Sequence, residues 1–175
     1  MRYVLASAIA SLFMFAGVTG GTAATEPRAH GHGETAFQQF SFEARGTPVD
    51  AKGHVVAHIP NPLDPSAPQI VVQGRVTCLN VIPGVAGAGD RAVLTGPVYN
   101  VQHFPVEFAG LEFDRFYVVV EDNDKASPSA PDRWNGSFYK AGTLGDIEEQ
   151  LRDCRALLPF GNALIKGDIV VEPAT

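Results

Sequence analysis

From Arg115 to Asp122 the chain reads RFYVVVED, an aromatic pair followed by three consecutive valines. Side chains branched at Cβ lose rotamer freedom in a helix, and they and aromatic residues pack well on a pleated surface, so this run is a strand. A strand needs partners, and the flanking text supplies them. GRVTCLNV (Gly74–Val81) and DRAVLTGPV (Asp90–Val98) are two further runs of the same kind, separated by the turn text PGVAGAG. They are expected to pair as a hairpin.

The two-residue period recurs upstream. In FQQFSFEAR, Phe40, Phe42 and Ala44 alternate with Ser41, Glu43 and Arg45, and in GHVVAHI the residues Val55, Ala57 and Ile59 share a face. PNPLDPSAP is too rich in proline to enter a ladder and connects the second strand to a long one that starts at Gln69. Beyond Cys78 that long strand turns apolar on both faces, which predicts a bend or entry into a covered layer. From Tyr99 to Asp114 aromatic residues come without a clean period, and a short strand is expected around Pro105 to Phe108. NDKASPSAPDRWNG reads as a loop, SFYKA as a short strand, and ALIKGDIVVEP as the last strand.

One stretch has a helical period. Leu144, Ile147, Leu151 and Cys154 line one side of a helix, with Thr143 as its expected N-cap and PFGN as its end. Roughly seven to nine strands with Gly and Pro turns and a single short helix in the C-terminal half predict an all-β fold: an antiparallel β-sandwich or a small β-barrel.

Residues 1–24, MRYVLASAIASLFMFAGVTGGTAA, carry one basic residue, an apolar run from Val4 to Val18 and a small-residue exit, the pattern of a signal peptide cleaved after Ala24. The run is short for a membrane span. Residues 25–36 include TEPRAHGHGE, show no apolar period and read as a flexible lead-in; residues 37–175 form one β domain of a size that supports a single core. The chain is thus expected to be secreted or extracytoplasmic. Its formal charge is −6, with acidic and basic residues mixed along the sequence, so phosphate finds no basic block and nucleic acid is not an expected partner. The partners left are a small molecule or an envelope or extracellular protein.

Export sets the expectation for the two cysteines, Cys78 and Cys154. Outside the cytoplasm thiols oxidise, and the pair predicts one disulfide joining a strand to the helix; two separate buried thiols are the alternative. A nucleophilic or metal-binding role would want a histidine or helix start beside the sulfur, and VTCLN has neither.

Other chemistry is sparse. His30, His32 and Glu34 in HGHGE suit a transition metal only if further ligands are held rigidly beside them. His54 and His58 stand too far apart along a strand to share a zinc ion, and His103 is alone. Asp122, Asp124 and Asp132, with Glu121 and Asn123, offer oxygens of the kind calcium takes, but the DxDxDG spacing is missing, and an acidic turn explains them equally. No nucleophile elbow is present, since NGSFY lacks the second glycine. Glu107, Glu112 and Asp114 pair only on paper. No catalytic residue is assigned, and no cofactor is expected. Phe104, Phe108, Phe113 and Trp134 are the candidate ligand contacts, as a lid over a barrel mouth, against the plainer reading that they are core.

Gly74–Val81, Asp90–Val98, VVVEDND, Ala130–Asp132 and GDIVV (Gly167–Val171) together resemble a family of exported bacterial β domains often labelled post-COAP domains. The likeness spans Phe40 to Val171. It implies a compact exported β domain and brings no catalytic residues, since the family has no assigned activity. This chain departs from the pattern in Asp90, where the family usually has Asn, and in the aromatic stretch before Arg115. The function expected is an accessory or binding module of the envelope or extracellular space. The competing reading is a barrel enzyme, a lyase or isomerase, or an apolar-ligand carrier, with its site at the barrel mouth.

Overall fold

The computed structural model describes residues 25–85, 88–108, 113–124, 127, 129–155 and 161–175. The expected signal peptide lies outside them. The described residues form strands β1 (Arg28–Glu34), β2 (Gln39–Thr47), β3 (Asp50–Ile59), β4 (Ile70–Val76), β5 (Cys78–Ile82), β6 (Asp90–Gln102), β7 (Arg115–Asp122), β8 (Arg133–Tyr139), β9 (Asn162–Ala163) and β10 (Lys166–Glu172), with helix α1 (Ile147–Arg152). The strands make one sheet in the order β10-β1-β2-β3-β4-β6-β7-β8-β9, and β5 pairs with β6 beside β4. Every pairing is antiparallel.

The sheet curls into a half-barrel, because residues from strands far apart in this order meet in one core. Phe42 of β2, Val76 of β4, Leu94 of β6, Val118 of β7, Trp134 of β8 and Ile169 of β10 belong to a single buried cluster. At its centre the ring of Trp134 stacks on Phe40, centroids 3.9 Å apart and planes within 8°. Such a stack adds about 0.5–1.5 kcal/mol to the area it buries.

The lead-in expected over residues 25–36 is largely a strand. β1 pairs residue for residue with β10 on one side and β2 on the other. Its inward positions are Ala29, Gly31 and Gly33, where a strand normally shows large apolar side chains. The space is already taken: a Cβ on Gly31 would stand 3.0 Å from the Phe42 ring and 2.7 Å from the Asp168 carbonyl. The strand is thus polar-out and small-in, a period hidden from hydrophobicity.

The long strand from Gln69 breaks at Thr77 into β4 and β5. Thr77 N–H bonds to the Thr95 carbonyl at 2.9 Å, and both pieces pair with β6, so the hairpin is present. The register shifts between Gln73 and Gly74, where β4 bends over Phe116. Three other expectations fail. β8 begins at Arg133, inside the expected loop, because Trp134 belongs to the core. The stretch around Pro105–Phe108 makes a 3-10 turn, Val106–Phe108, not a strand. Thr143 is not the N-cap: its hydroxyl donates to the Lys140 carbonyl in a turn, and the helix starts after Asp146.

Outward residues of β5, β6 and β7 are apolar too, and α1 covers them. Cys78, Val93, Tyr117, Tyr139, Leu151 and Cys154 form this second cluster, and Cys78 and Cys154 are joined in a disulfide with Cα atoms 6.2 Å apart. Leu144 and Ile147, expected on the buried stripe, stay about two-fifths exposed, because only the last turn of this short helix meets the sheet. That end is closed by a Schellman pattern: Cys154 N–H bonds Leu151 O at 3.1 Å and Arg155 N–H bonds Gln150 O at 2.8 Å. Cys154 holds the left-handed position, φ 55°, which usually takes glycine. Asn80 donates to the Cys154 carbonyl at 3.0 Å and Thr95 to that of Arg152 at 3.2 Å, so the sheet satisfies carbonyls the helix leaves open.

Two outcomes follow for stability. Gly74→Ala puts a methyl 2.4 Å from Phe116 Cδ1 and is expected to cost about 1–3 kcal/mol in urea unfolding. Replacing the disulfide by Cys78→Ala with Cys154→Ala is expected to cost about 2–5 kcal/mol, and Cys78→Ala with Cys154→Gly to recover about 0.5–1 kcal/mol of that through the left-handed position. Equal midpoints for the two double variants would show that the backbone at Cys154 carries no penalty.

Candidate functional site

The covering helix leaves the other half of the sheet bare. Outward positions of β10, β1, β2, β3 and β4 are mostly polar and mostly exposed, and the pairing register sets them in rows across the strands. One row reads Glu172, Arg28, Arg45, Lys52. The next reads Val170, His30, Glu43, His54, Arg75. The third reads Asp168, His32, Ser41, Val56, Gln73, and the fourth Lys166, Glu34, Gln39, His58, Val71. Four of the chain's five histidines lie on this one face.

Two open grooves cross it. One, of about 540 Å³, is lined by Arg28, His30, His32, Glu43, Arg45 and His54 with the backbone between them. The other, of about 430 Å³, is lined by His32, Glu34, Gln39, His58 and Lys166. Ser41 and His32 line both, so the depressions adjoin at the middle of the face.

The first row brings three cations into direct opposition across β1, β2 and β3. Arg28 is ion-paired with Glu172. Among the described residues, Arg45, Lys52 and Arg75 have no ion pair. A mixed linear sequence therefore folds into a local basic stripe, which the expectation drawn from charge order did not contain. The signal was the parity of Arg28, Arg45 and Lys52 on their strands, but it needs the register, and β1 had not been recognised as a strand.

His30 and His32 project from a strand paired on both sides rather than from a loose tail. Even so, no group of three or more His, Cys, Asp or Glu side chains among the described residues is placed to hold a metal ion.

The calcium candidates sit elsewhere, and the carboxylates of two of them, Asp122 and Asp132, are engaged. β10 pairs with β1 on one side only, and the N–H groups of Ile169 and Val171 point away from it. Asp132 accepts the first at 2.9 Å and Asp122 the second at 3.0 Å. Their other oxygens accept from Asn123 N–H at 2.8 Å and Asp124 N–H at 3.2 Å. Asp122 and Asp132 are buried, whereas Asp124 is exposed. The cluster is a structural clasp that binds the end of β7 and the start of β8 to the free edge of β10.

The aromatic candidates divide. Phe104 and Phe113 meet edge to face, centroids 5.4 Å apart, and Phe113 lies 6.0 Å from Phe138. Phe108 ends the 3-10 turn. Trp134 is fully buried in the inner core, so it is no part of a lid with the others.

No protein-family model, curated protein or solved structure matches the chain. Among the described residues no helix is long and apolar enough to cross a membrane.

Burial, assisted by the charges of Asp122 and Asp124, pushes the Asp132 carboxyl above its usual range despite the N–H bonds from Asn123 and Ile169. The folded state then takes up this proton at a higher pH than the unfolded chain. Its cost is present in full above the folded value and is relieved as pH falls through it, so this group alone makes acidification stabilising. Asp132→Asn removes the titration and leaves one N–H without its acceptor, for an expected loss of about 1–3 kcal/mol at neutral pH. Unfolding of both proteins in denaturant is expected to show that gap widening as the pH is lowered towards the normal carboxylate range. A narrowing gap would mean that the carboxyl titrates below its ordinary value.

Proposed function

We propose that this chain is an exported, non-catalytic binding domain that holds its ligand on the open face of β1–β4. The observation that carries the reading is the contrast between the two sides of the sheet. The inner side is filled by side chains from nearly every strand, with the Trp134–Phe40 stack at its centre. The outer side of β1–β4 is uncovered, grooved and lined with hydrogen-bonding groups. Ligand sites are concave surfaces with a few convergent polar groups, and this face has that form. Export is supported by the leader pattern of residues 1–24 and by the oxidised cysteine pair.

The barrel-mouth alternatives, enzyme or apolar-ligand carrier, have less support. The carrier reading relied on Trp134 joining Phe104, Phe108 and Phe113 at an opening, and the tryptophan is inside the core.

Ser41, at the junction of the grooves, provides the test. Binding of the mature protein to an array of immobilised glycans and peptides is expected to yield ligands whose affinity falls at least about tenfold in Ser41→Trp. The unfolding midpoint should stay near that of wild type, since the substitution points to solvent. Retained binding in Ser41→Trp, together with its loss in Phe104→Ala or Phe113→Ala, would move the site to the β6–β7 excursion.

A further inference from the structure

We infer that the ligand of this face is a linear polyanionic glycan, seated across Arg28, Arg45 and Lys52 and reaching Arg75. The inference rests on the reading above that the face binds.

Its starting point is a feature that the fold does not need. Like charges placed directly opposite on neighbouring strands repel, and here the opposition is repeated, Arg28 against Arg45 and Arg45 against Lys52. Glu172 compensates only the first of them, at the rim. Arg75 extends the patch on β4, opposite His54. Across these two rows, four permanent cations face two carboxylates, Glu43 and Glu172, in a chain whose formal charge is −6. An anion laid over the row would remove the repulsion, which an uncharged ligand would not do.

The geometry selects among anions. Adjacent strands stand about 4.8 Å apart, so the row offers one cation on each of β1, β2 and β3 along a line perpendicular to them. A linear polymer with closely spaced acidic groups meets that line, whereas a single small anion touches one or two positions. Beside the cations, His30, His54, Ser41 and Gln73 provide hydrogen-bonding groups for hydroxyls. No Phe, Tyr or Trp occupies an outward position of β10 or β1–β4, so bases find nothing to stack on. Asp168 and Glu34, in the rows beyond, keep the basic stripe narrow, so its cations meet a single polymer laid along the row.

A fluorescently labelled heparin-derived oligosaccharide is the probe, with anisotropy measured on the mature protein at low and physiological ionic strength. Wild type is expected to bind, more weakly at the higher salt. The double variant Arg45→Glu with Lys52→Glu is expected to lose at least about tenfold in affinity. Its unfolding midpoint is expected not to fall, since the reversal turns the opposition of Arg28 and position 45 into an opposite-charge pair and only exchanges one like-charge pair for another between positions 45 and 52. Arg155→Glu, an exposed cation beyond the helix, is expected to bind as wild type does. Unchanged affinity in the double variant, or no binding by wild type at low salt, would overturn the inference. Tighter binding of polyphosphate or single-stranded DNA than of the oligosaccharide would overturn the glycan assignment. If wild type instead binds a neutral ligand that Ser41→Trp blocks and the double reversal leaves alone, the anion inference fails while the binding face stands.

Discussion

Two carboxylates decide whether this sheet is a closed body or an open ribbon. β10 has a neighbour on one side only, and on the other the N–H groups of Ile169 and Val171 would meet either water or nothing. Ile169 and Val171 are themselves core residues, so their backbone is carried inward with them. Asp132 and Asp122 take those two protons from across the seam. A hydrogen bond to a charged acceptor contributes about 1.5–3 kcal/mol, and leaving the buried donor bare costs a similar amount. The seam is therefore sealed by side chains where a complete barrel would use a strand. The acceptors come from the end of β7 and the start of β8, so the sheet cannot uncurl without breaking them.

That arrangement explains why acidic residues in EDND and PD looked like cation ligands in the sequence. Closely spaced oxygens in a loop suit calcium and backbone N–H groups equally well, and composition cannot distinguish them. Only the position of β10 does. The legible parts were β2 and β3, where side chains alternate strongly, β7 and the β5–β6 hairpin, which are runs of β-branched residues, and the pairing of Cys78 with Cys154. β1 was not, because its inward face is Ala29, Gly31 and Gly33, chosen to make room for Phe40 and Phe42 from the next strand. A small residue opposite a large one satisfies the core as a pair, yet a scan for apolar residues scores only the large partner. Trp134 was misplaced for a related reason: its strand begins immediately after a proline-rich loop, so the residue looked like part of the loop.

The disulfide and the seam act on different halves of the fold. The seam holds the inner core closed. The disulfide fixes α1 over the outer face of β5–β7, a layer with few residues of its own, where Leu151 and Cys154 are the helix's buried contacts. Six helical residues cannot hold a helix together by themselves, since nucleation consumes most of what so short a segment gains. Here Asn80 and Thr95 take up its terminal carbonyls and the sulfur bridge removes the freedom of its C-terminal end. Cys154 accepts a left-handed backbone to do this.

The division of the sheet also bears on where function can sit. A face sealed by a helix and a covalent bond is committed to stability, and the inner face is packed with aromatic rings. The outer side of β1–β4 is the face on which binding would leave both of these layers intact. On that side the sequence does something a purely structural surface has no reason to do: it sets Arg28, Arg45 and Lys52 against one another. Opposite-charge pairs on those positions would be worth up to about 1 kcal/mol each, and the chain forgoes them. Stability given up at exposed positions is the usual mark of a surface selected for something other than folding. The closed seam makes the sacrifice tolerable, because the repulsion acts on strands whose other contacts already fix the register.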